Sequence, residues 1–359
     1  MNAVVDDEVL HVELEDGRAA DLHVRALRDG CPCAECRHPV SGQRLFETLA
    51  VVPEAQVVDV SVDGALLRVE WADGHVSTFD ESWLAPDPVA APAPVLWGSE
   101  LEVPSERYDQ VVADPSAKRR WLSAVAEYGF CRLRGAPVAD GAVAQVAELF
   151  GHVRVTNYGR IFDVAVSVDA TNLANTSMPL SLHTDNPYRD PVPTLQLLEC
   201  LATDVPGGDT VLADGFRAVE LLRERAPEKV ELLANRPIAY AYRDATADLR
   251  ADVPVLTLDP SGAPTALRIN NRSKAIPHGS ADEVGAWYDA YLELLRLLHA
   301  TQAQVVFRLE PGDVIVFDNV RVLHGRTDFA GTGSRRLQGC YADRDALLSA
   351  LRLLERAAA

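Results

Sequence analysis

Cys31-Pro32-Cys33-Ala34-Glu35-Cys36 places three thiols on one tight turn. Thiolates are soft ligands, and three of them with one imidazole complete a tetrahedral zinc shell. His75, just after the Asp73-Gly74 turn, is the fourth ligand this pattern favours. His38 competes, although it lies so close to Cys36 that little chain is left to wrap around a metal. Four protein donors leave no position for a reactant, so the expected site is structural. The same turn also reads as a redox pair or as plain loop cysteines. Cys131, Cys200 and Cys340 are scattered through apolar contexts and read as core.

A second constellation is formed by His183-Thr184-Asp185 and, far downstream, His324-Gly325-Arg326. Two imidazoles and one carboxylate on one face leave three positions open, the facial triad of non-haem Fe(II) oxygenases. The H-x-D pair alone is weak evidence, because 9 His among 53 acidic residues produce about one such pair by chance. Its surroundings make it specific. Pro311 to Asn319 reads as a turn, a strand and a loop that deliver His324 to the rim of a β-core. Arg335 and Arg336 follow, and a permanently charged fork there suits a dicarboxylate whose other end chelates iron. Gly207-Gly208-Asp209-Thr210 adds a tight turn with a hydroxyl donor.

Taken in order, Leu182-His183-Thr184-Asp185, Gly207-Gly208-Asp209-Thr210, Val322-Leu323-His324-Gly325-Arg326 and Ser334 to Asp343 resemble a known family. It is the gamma-butyrobetaine and trimethyllysine hydroxylase branch of the taurine-dioxygenase-like Fe(II)/2-oxoglutarate oxygenases. The resemblance extends over nearly the whole chain, including the Cys-rich N-terminal segment. It implies a double-stranded β-helix (jelly-roll) catalytic domain, often in a homodimer, with iron on His183, Asp185 and His324. Arg335 takes the place of the arginine that binds the distal carboxylate of 2-oxoglutarate, and Thr210 that of a threonine assisting it. Arg336 remains a cofactor-binding candidate, but it points to the opposite face if the segment is a regular strand. Dioxygen would take the remaining metal position, with 2-oxoglutarate decarboxylated to succinate.

The resemblance weakens at the substrate. Relatives hold a trimethylammonium group in an aromatic cage. Tyr158, Phe162 and Tyr341 match three cage positions, Phe162 replacing a tryptophan, while Asn175 and Asn186 stand where tyrosines are expected. Asn172, Asn270 and Asn271 keep amides near positions that bind the substrate carboxylate. A half-kept cage predicts a small polar, zwitterionic substrate, with gamma-butyrobetaine itself a poor one. Non-betaine amino acids and aminophosphonates, with desaturation or cyclisation as outcomes, stay open. Two rivals of other classes are a zinc hydrolase using the same triad and a non-catalytic protein with two structural metals. The Arg335-Arg336 pair disfavours the first, because hydrolysis needs no dicarboxylate.

The elements that must position these residues fall into two parts. Val9 to Leu14, Val57 to Val62, Leu66 to Trp71 and His75 to Phe79 alternate with period 2 and are punctuated by Asp-Gly turns, predicting a small antiparallel sheet domain. Four prolines in Ala85 to Pro94 mark a boundary. The expected organisation is a zinc-binding β domain over 1–88, a linker over 89–97 and an oxygenase domain over 98–359. In the latter, Asp114-Pro115 opens a helix that Gly129 ends, and Phe216 to Arg225 is a helix stopped by Pro227. Ser280 and Glu283 form a capping box for a helix through Leu298. Strands are expected at Phe130 to Leu133, Leu195 to Leu201, Val305 to Leu309, Asp313 to Phe317 and Arg336 to Tyr341. The fold class is α+β, mainly β, with helical insertions. A net charge of −19 over 359 residues argues against nucleic acid or an anionic membrane as partner. The N-terminus lacks the basic-then-apolar order of a signal peptide, so a cytoplasmic location is expected.

Overall fold

Alternating apolar positions between Asp-Gly turns become strands in the computed structural model, which describes residues 1–84, 92–165, 178–329 and 334–358. Two compact units emerge, Met1–Ala90 and Ala91–Ala359. The N-terminal unit has two three-stranded antiparallel sheets where the pattern predicts one: Asn2–Asp6, Val9–Glu13 and Ala19–His23, then Val57–Asp63, Leu66–Trp71 and Val76–Asp80. Leu10, Val12, Leu67, Val69, Trp71 and Phe79 supply its core. The first sheet escapes the pattern because its outer strands, Asn2–Asp6 and Ala19–His23, bury no side chain fully.

The larger unit is built on two sheets. In one, the order is Leu180–His183, Val322–Arg326, Thr210–Asp214 and Gln304–Phe307. In the other it is Ser105–Arg107, Phe130–Arg134, Val314–Asp318, Leu195–Thr203, Arg335–Ala342 and Phe162–Ala165. Leu212 and Val305 of the first meet Phe130, Ile315, Phe317 and Leu337 of the second in a shared apolar cluster. The outer face of the six-stranded sheet is covered by the helices Pro115–Tyr128, Ala142–Glu148 and Arg344–Ala358. The helices Gly215–Arg225, Pro227–Asn235 and Ala281–His299 cover the other sheet.

The sequence signals for these helices hold. Asp114 caps the first through Ser116 N–H, with Gly129 left-handed at its end (φ 77°). Ser280 and Glu283 form the reciprocal capping box. Pro227 ends one helix and also opens the next as its first residue, where its missing N–H costs nothing. Arg321 is fully buried against Asp214 (2.9 Å) and donates to the carbonyls of Glu127 and Val95. Its guanidinium thereby ties the turn before His324 to the strand Thr210–Asp214 and to the end of the helix Pro115–Tyr128. Removing one partner of such a pair strands a buried charge, at about 3–5 kcal/mol. Among the described residues no helix is long and apolar enough to cross a membrane.

Candidate active site and metal centres

His183 ends its strand and lies directly opposite His324 on the neighbouring one. Their rings are 4.2 Å apart, and His183 Nε2 is 3.3 Å from Asp185 Oδ1. One donor atom from each of the three residues falls within 4.8 Å of the others. His183 Nδ1 is 2.8 Å from the Ser181 carbonyl, which places the proton on Nδ1 and leaves Nε2 as the free donor. Asn319 brackets Asp185, accepting from its N–H (2.7 Å) and donating to its carbonyl (3.0 Å). The Tyr341 hydroxyl donates to Asp185 Oδ2 at 2.9 Å, so Oδ1 is the oxygen turned toward the imidazoles.

Burial opposes ionisation of Asp185, but its neighbours His183, His324 and Arg272 hold its carboxyl well below the usual range. Burial, then the His183 neighbour, pushes His324 down to about 3, so its ring is neutral. A neutral His324 imidazole and an ionised Asp185 carboxylate are donor states that suit a divalent metal. His324 Nδ1 is buried without a hydrogen-bond partner among the described residues.

A cavity of about 920 Å³ opens from this cluster between the two sheets. Thr210, Arg326, Arg335 and Leu337 line one end. Arg335 donates to the Gly208 carbonyl at 3.1 Å and has no carboxylate within ion-pair distance among the described residues. The two come this close because residue 208 is glycine: a Cβ there would sit 2.8 Å from Arg335 Nε. Arg336, its neighbour, turns away from the cavity to Asp140 (2.7 Å) and Asp163 (2.9 Å). Strand alternation sends adjacent side chains to opposite faces, so Arg336 does not join Arg335 as a cofactor-binding candidate.

Aromatic rings fill the other end. Tyr158 is 6.3 Å from Phe162, and Phe162 stacks on Tyr341 at 5.1 Å. The Phe162 ring covers Gly339, where a Cβ would lie 2.4 Å from it. Two rings that sequence reasoning missed complete the group. Tyr242 is 5.7 Å from Tyr158 and 5.1 Å from Tyr188, and the Tyr158 and Tyr188 hydroxyls are 2.8 Å apart. Tyr188 follows His183-Thr184-Asp185 by only a few residues, a proximity that flags it. Tyr242 sits on an unanticipated hairpin, Pro237–Arg243 with Asp248–Pro254, and carries no comparable signal. Its hydroxyl donates to Asp244 at 2.6 Å.

Asn186 adopts φ 55°, a conformation Asn tolerates, and accepts from the Tyr188 hydroxyl at 3.1 Å. Asn270 lines the cavity, but its amide donates to the Thr184 carbonyl (3.0 Å) and accepts from Arg272 N–H (3.0 Å). Asn271 lies outside the cavity, exposed, beside the Tyr291 hydroxyl at 3.4 Å. It is removed from the candidates because consecutive residues of this turn diverge. Asn172 and Asn175 fall outside the described residues.

In the N-terminal unit, His75 Nε2 is 3.3 Å from Cys31 Sγ and 3.6 Å from both Cys33 Sγ and Cys36 Sγ. A tetrahedron with ordinary zinc–sulfur and zinc–nitrogen bonds has an S···N edge of about 3.6 Å. The donors are therefore spaced as a metal would space them. Asp73 accepts from His75 N–H (2.9 Å) and from Arg28 (3.0 Å), and Arg28 also reaches Cys36 Sγ at 3.5 Å. Burial and then the Arg28 charge keep His75 below its ordinary pKa, which suits a neutral ligand. His38 is not in the cluster; its ring accepts from Ser41 N–H at 3.1 Å.

Known proteins share both parts. Residues 90–341 match the model described as taurine catabolism dioxygenase TauD, TfdA family, and residues 2–85 match gamma-butyrobetaine hydroxylase-like, N-terminal. Gamma-butyrobetaine dioxygenase of Pseudomonas sp. (strain AK-1) is 36% identical, with 95% of this chain and 92% of that one covered. Mitochondrial trimethyllysine dioxygenase of Bos taurus is 32% identical, with 91% and 81% covered. Among solved structures, an asparagine oxygenase superposes with a TM-score of 0.52 at 22% identity over 66% of this chain and 82% of that one, a likeness of fold.

Proposed function

The chain belongs to the TauD, TfdA dioxygenase family and is an Fe(II)- and 2-oxoglutarate-dependent dioxygenase, and we propose that it oxidises an unactivated C–H bond of a small acid bearing a quaternary ammonium group. The observation carrying the substrate half of this reading is the ring group of Tyr158, Phe162, Tyr188, Tyr242 and Tyr341 at one end of the cavity. A quaternary ammonium has no N–H to donate, so ring faces recognise it, at about 0.5–2 kcal/mol per contact. Tyr188 and Tyr242 add aromatic surface beyond the three expected cage positions, and this replaces the expectation that gamma-butyrobetaine is a poor substrate. Asp244 adds countercharge beside Tyr242, whose hydroxyl, with Thr246 and nearby backbone N–H groups, holds the Asp244 carboxyl down to about 2.

In this reading His183, Asp185 and His324 hold iron, while Arg335 and Thr210 hold the distal carboxylate of 2-oxoglutarate. Iron bound there, with 2-oxoglutarate and dioxygen, supplies the oxidising chemistry and releases succinate and carbon dioxide. Ser181 orients His183, and Tyr341 holds Oδ2 of Asp185 so that Oδ1 faces the metal position. Burial and the Asp185 carboxylate keep the Tyr341 phenol protonated, so it stays a donor. Phe162 and Tyr341, stacked beside the cluster, exclude water from the reacting face.

Cys31, Cys33, Cys36 and His75 hold a structural zinc in a β domain over 1–88. The oxygenase domain over 98–359 is a double-stranded β-helix, a reading supported by the two sheets that enclose the cavity. By family resemblance the enzyme is a homodimer. Succinate production from matched acids tests the substrate. A four-carbon acid carrying trimethylammonium should exceed its primary-amine counterpart by more than about tenfold. Faster turnover of the primary amine, or of an aminophosphonate, would replace the quaternary-amine reading.

A further inference from the structure

Away from the cavity, a second group of rings holds a cation that belongs to the chain itself. Lys274 Nζ lies 5.3 Å from the centre of the Trp287 ring and 5.5 Å from those of Tyr288 and Tyr291, all on the helix Ala281–His299. Trp287 stacks on Tyr291 at 4.7 Å and meets Tyr288 edge-on at 5.1 Å, so the three rings form one wall. Trp287 and Tyr291 are buried, and Lys274 is half-buried against them. Among the described residues no carboxylate compensates its ammonium, which donates to the Ala275 carbonyl at 3.4 Å. Ring faces attract a cation most strongly where water is excluded from it.

The backbone around Lys274 is paired to the hairpin that carries Tyr242. Ala241 N–H donates to the Ser273 carbonyl (2.9 Å), Ala275 N–H donates to the Ala239 carbonyl (2.8 Å), and Lys274 bridges Tyr240 in antiparallel sense. The hairpin, Pro237–Arg243 with Asp248–Pro254, is otherwise a two-stranded sheet, an arrangement that is marginal without further packing. Tyr240 is fully buried, and its hydroxyl donates to the Arg268 carbonyl at 2.6 Å. Alternation places Tyr242 on the same face of the strand as Tyr240, and the stretch from Ala241 to Ala245 lines the cavity. One end of the strand is therefore anchored, and the other presents a ring to the cavity.

We propose that Lys274 is a positioning residue for substrate binding: its ammonium, seated on the Trp287, Tyr288 and Tyr291 rings, fixes the hairpin and so holds the Tyr242 ring at the cavity. The inference rests on the quaternary-amine reading above and names a contact on which that ring group depends. Lys274 touches no reactant and acts through Tyr242, whose ring stands 5.7 Å from Tyr158 and 5.1 Å from Tyr188. Methionine at position 274 keeps an unbranched apolar stem against the rings and removes only the charge. Arginine keeps the charge and lies flat on ring faces.

The test is a double-mutant cycle with Tyr242, read by equilibrium binding of gamma-butyrobetaine to the full chain in ligand-observed NMR. Lys274→Met should weaken binding about 3- to 10-fold, the range of one well-placed ring contact, and Lys274→Arg should recover most of the loss. The 2-oxoglutarate KM should stay unchanged in both. In a Tyr242→Leu background no ring remains to be positioned, so Lys274→Met should weaken binding there by less than about 1.5-fold. Additive losses, or a 2-oxoglutarate KM that rises in parallel, would overturn the positioning role and leave Lys274 as general support of the fold. Unchanged binding in Tyr242→Leu alone also overturns it and leaves the quaternary-amine reading to the other four rings. A wild type that does not bind gamma-butyrobetaine removes both.

Discussion

The two donor clusters have similar dimensions and opposite openness. In the N-terminal unit, one imidazole nitrogen sits 3.3–3.6 Å from three thiol sulfurs, and every corner of a tetrahedron is taken. In the larger unit, three donors gather on one side and a 920 Å³ cavity occupies the other. The first cluster is assembled mainly within one tight turn, where a single loop dictates the geometry. The second requires strands distant in sequence to pair, and its supports, Ser181, Asn319 and Tyr341, come from different elements. A closed shell can only stabilise; an open one, held rigidly from behind, can present a metal to a reactant.

The sharpest way to break this contrast is to remove one donor from each cluster. Asp185→Ala should lower 2-oxoglutarate turnover by more than about 100-fold, since losing a ligand exceeds the effect of losing its support. The far-UV spectrum should remain that of the wild type. Cys33→Ser should do the reverse: zinc content falls and residues 1–88 become protease-sensitive, because zinc binding of this type contributes about 10–16 kcal/mol to folding. Turnover should fall less than in Asp185→Ala. Equal loss of turnover in both variants would mean that the closed cluster takes part in the reaction.

Within the open site, the adjacent arginines provide a smaller and more selective effect. Arg335→Ala should raise the 2-oxoglutarate KM on the order of 30-fold or more, as expected for a half-buried carboxylate losing its charged partner. Arg336→Ala removes only its surface pairs with Asp140 and Asp163, and should change KM by less than about threefold. A larger effect at Arg336 would overturn the alternation of faces along the Arg335–Ala342 strand.

The smallest effect concerns pH. Glu199, in the strand Leu195–Thr203, is fully buried with no well-formed hydrogen bond to either carboxyl oxygen among the described residues, and burial, opposed only by the nearby Val143 N–H, raises it to about 7. A folded-state pKa above the unfolded value means its contribution is fully present below about pH 4.5 and is lost as pH rises through 7. Glu199→Gln should therefore flatten the decline in stability of the larger unit between about pH 5 and 8, with a gain of order 1–3 kcal/mol at pH 8. An unchanged slope in pH-dependent denaturant melts would show that Glu199 finds a partner.

Local chemistry was legible wherever a few neighbouring residues decide the outcome. Cys31, Cys33 and Cys36 lie on one turn, Asp114-Pro115 and Ser280 with Glu283 start helices through their own side chains, and Arg335 parts from Arg336 by strand alternation alone. His183 and Asp185 could be named together because one residue separates them, and His324 because a strand and turn deliver it. The resemblance to a family then supplied their order.

Tertiary structure alone decided what depends on pairing between distant segments. Tyr242 reaches the cavity only through the pairing of Pro237–Arg243 with Asp248–Pro254, and no local pattern encodes where that hairpin packs. The aromatic end of the cavity was accordingly underestimated, since two of its five rings stand outside the expected cage positions. Likewise, an asparagine is a candidate ligand in sequence, but its amide can be claimed by a backbone group, as Asn270 is by Thr184. Residue type and short spacing determine which chemistry a chain can offer. Long-range strand pairing and burial determine which of those groups face one cavity and which are already satisfied elsewhere.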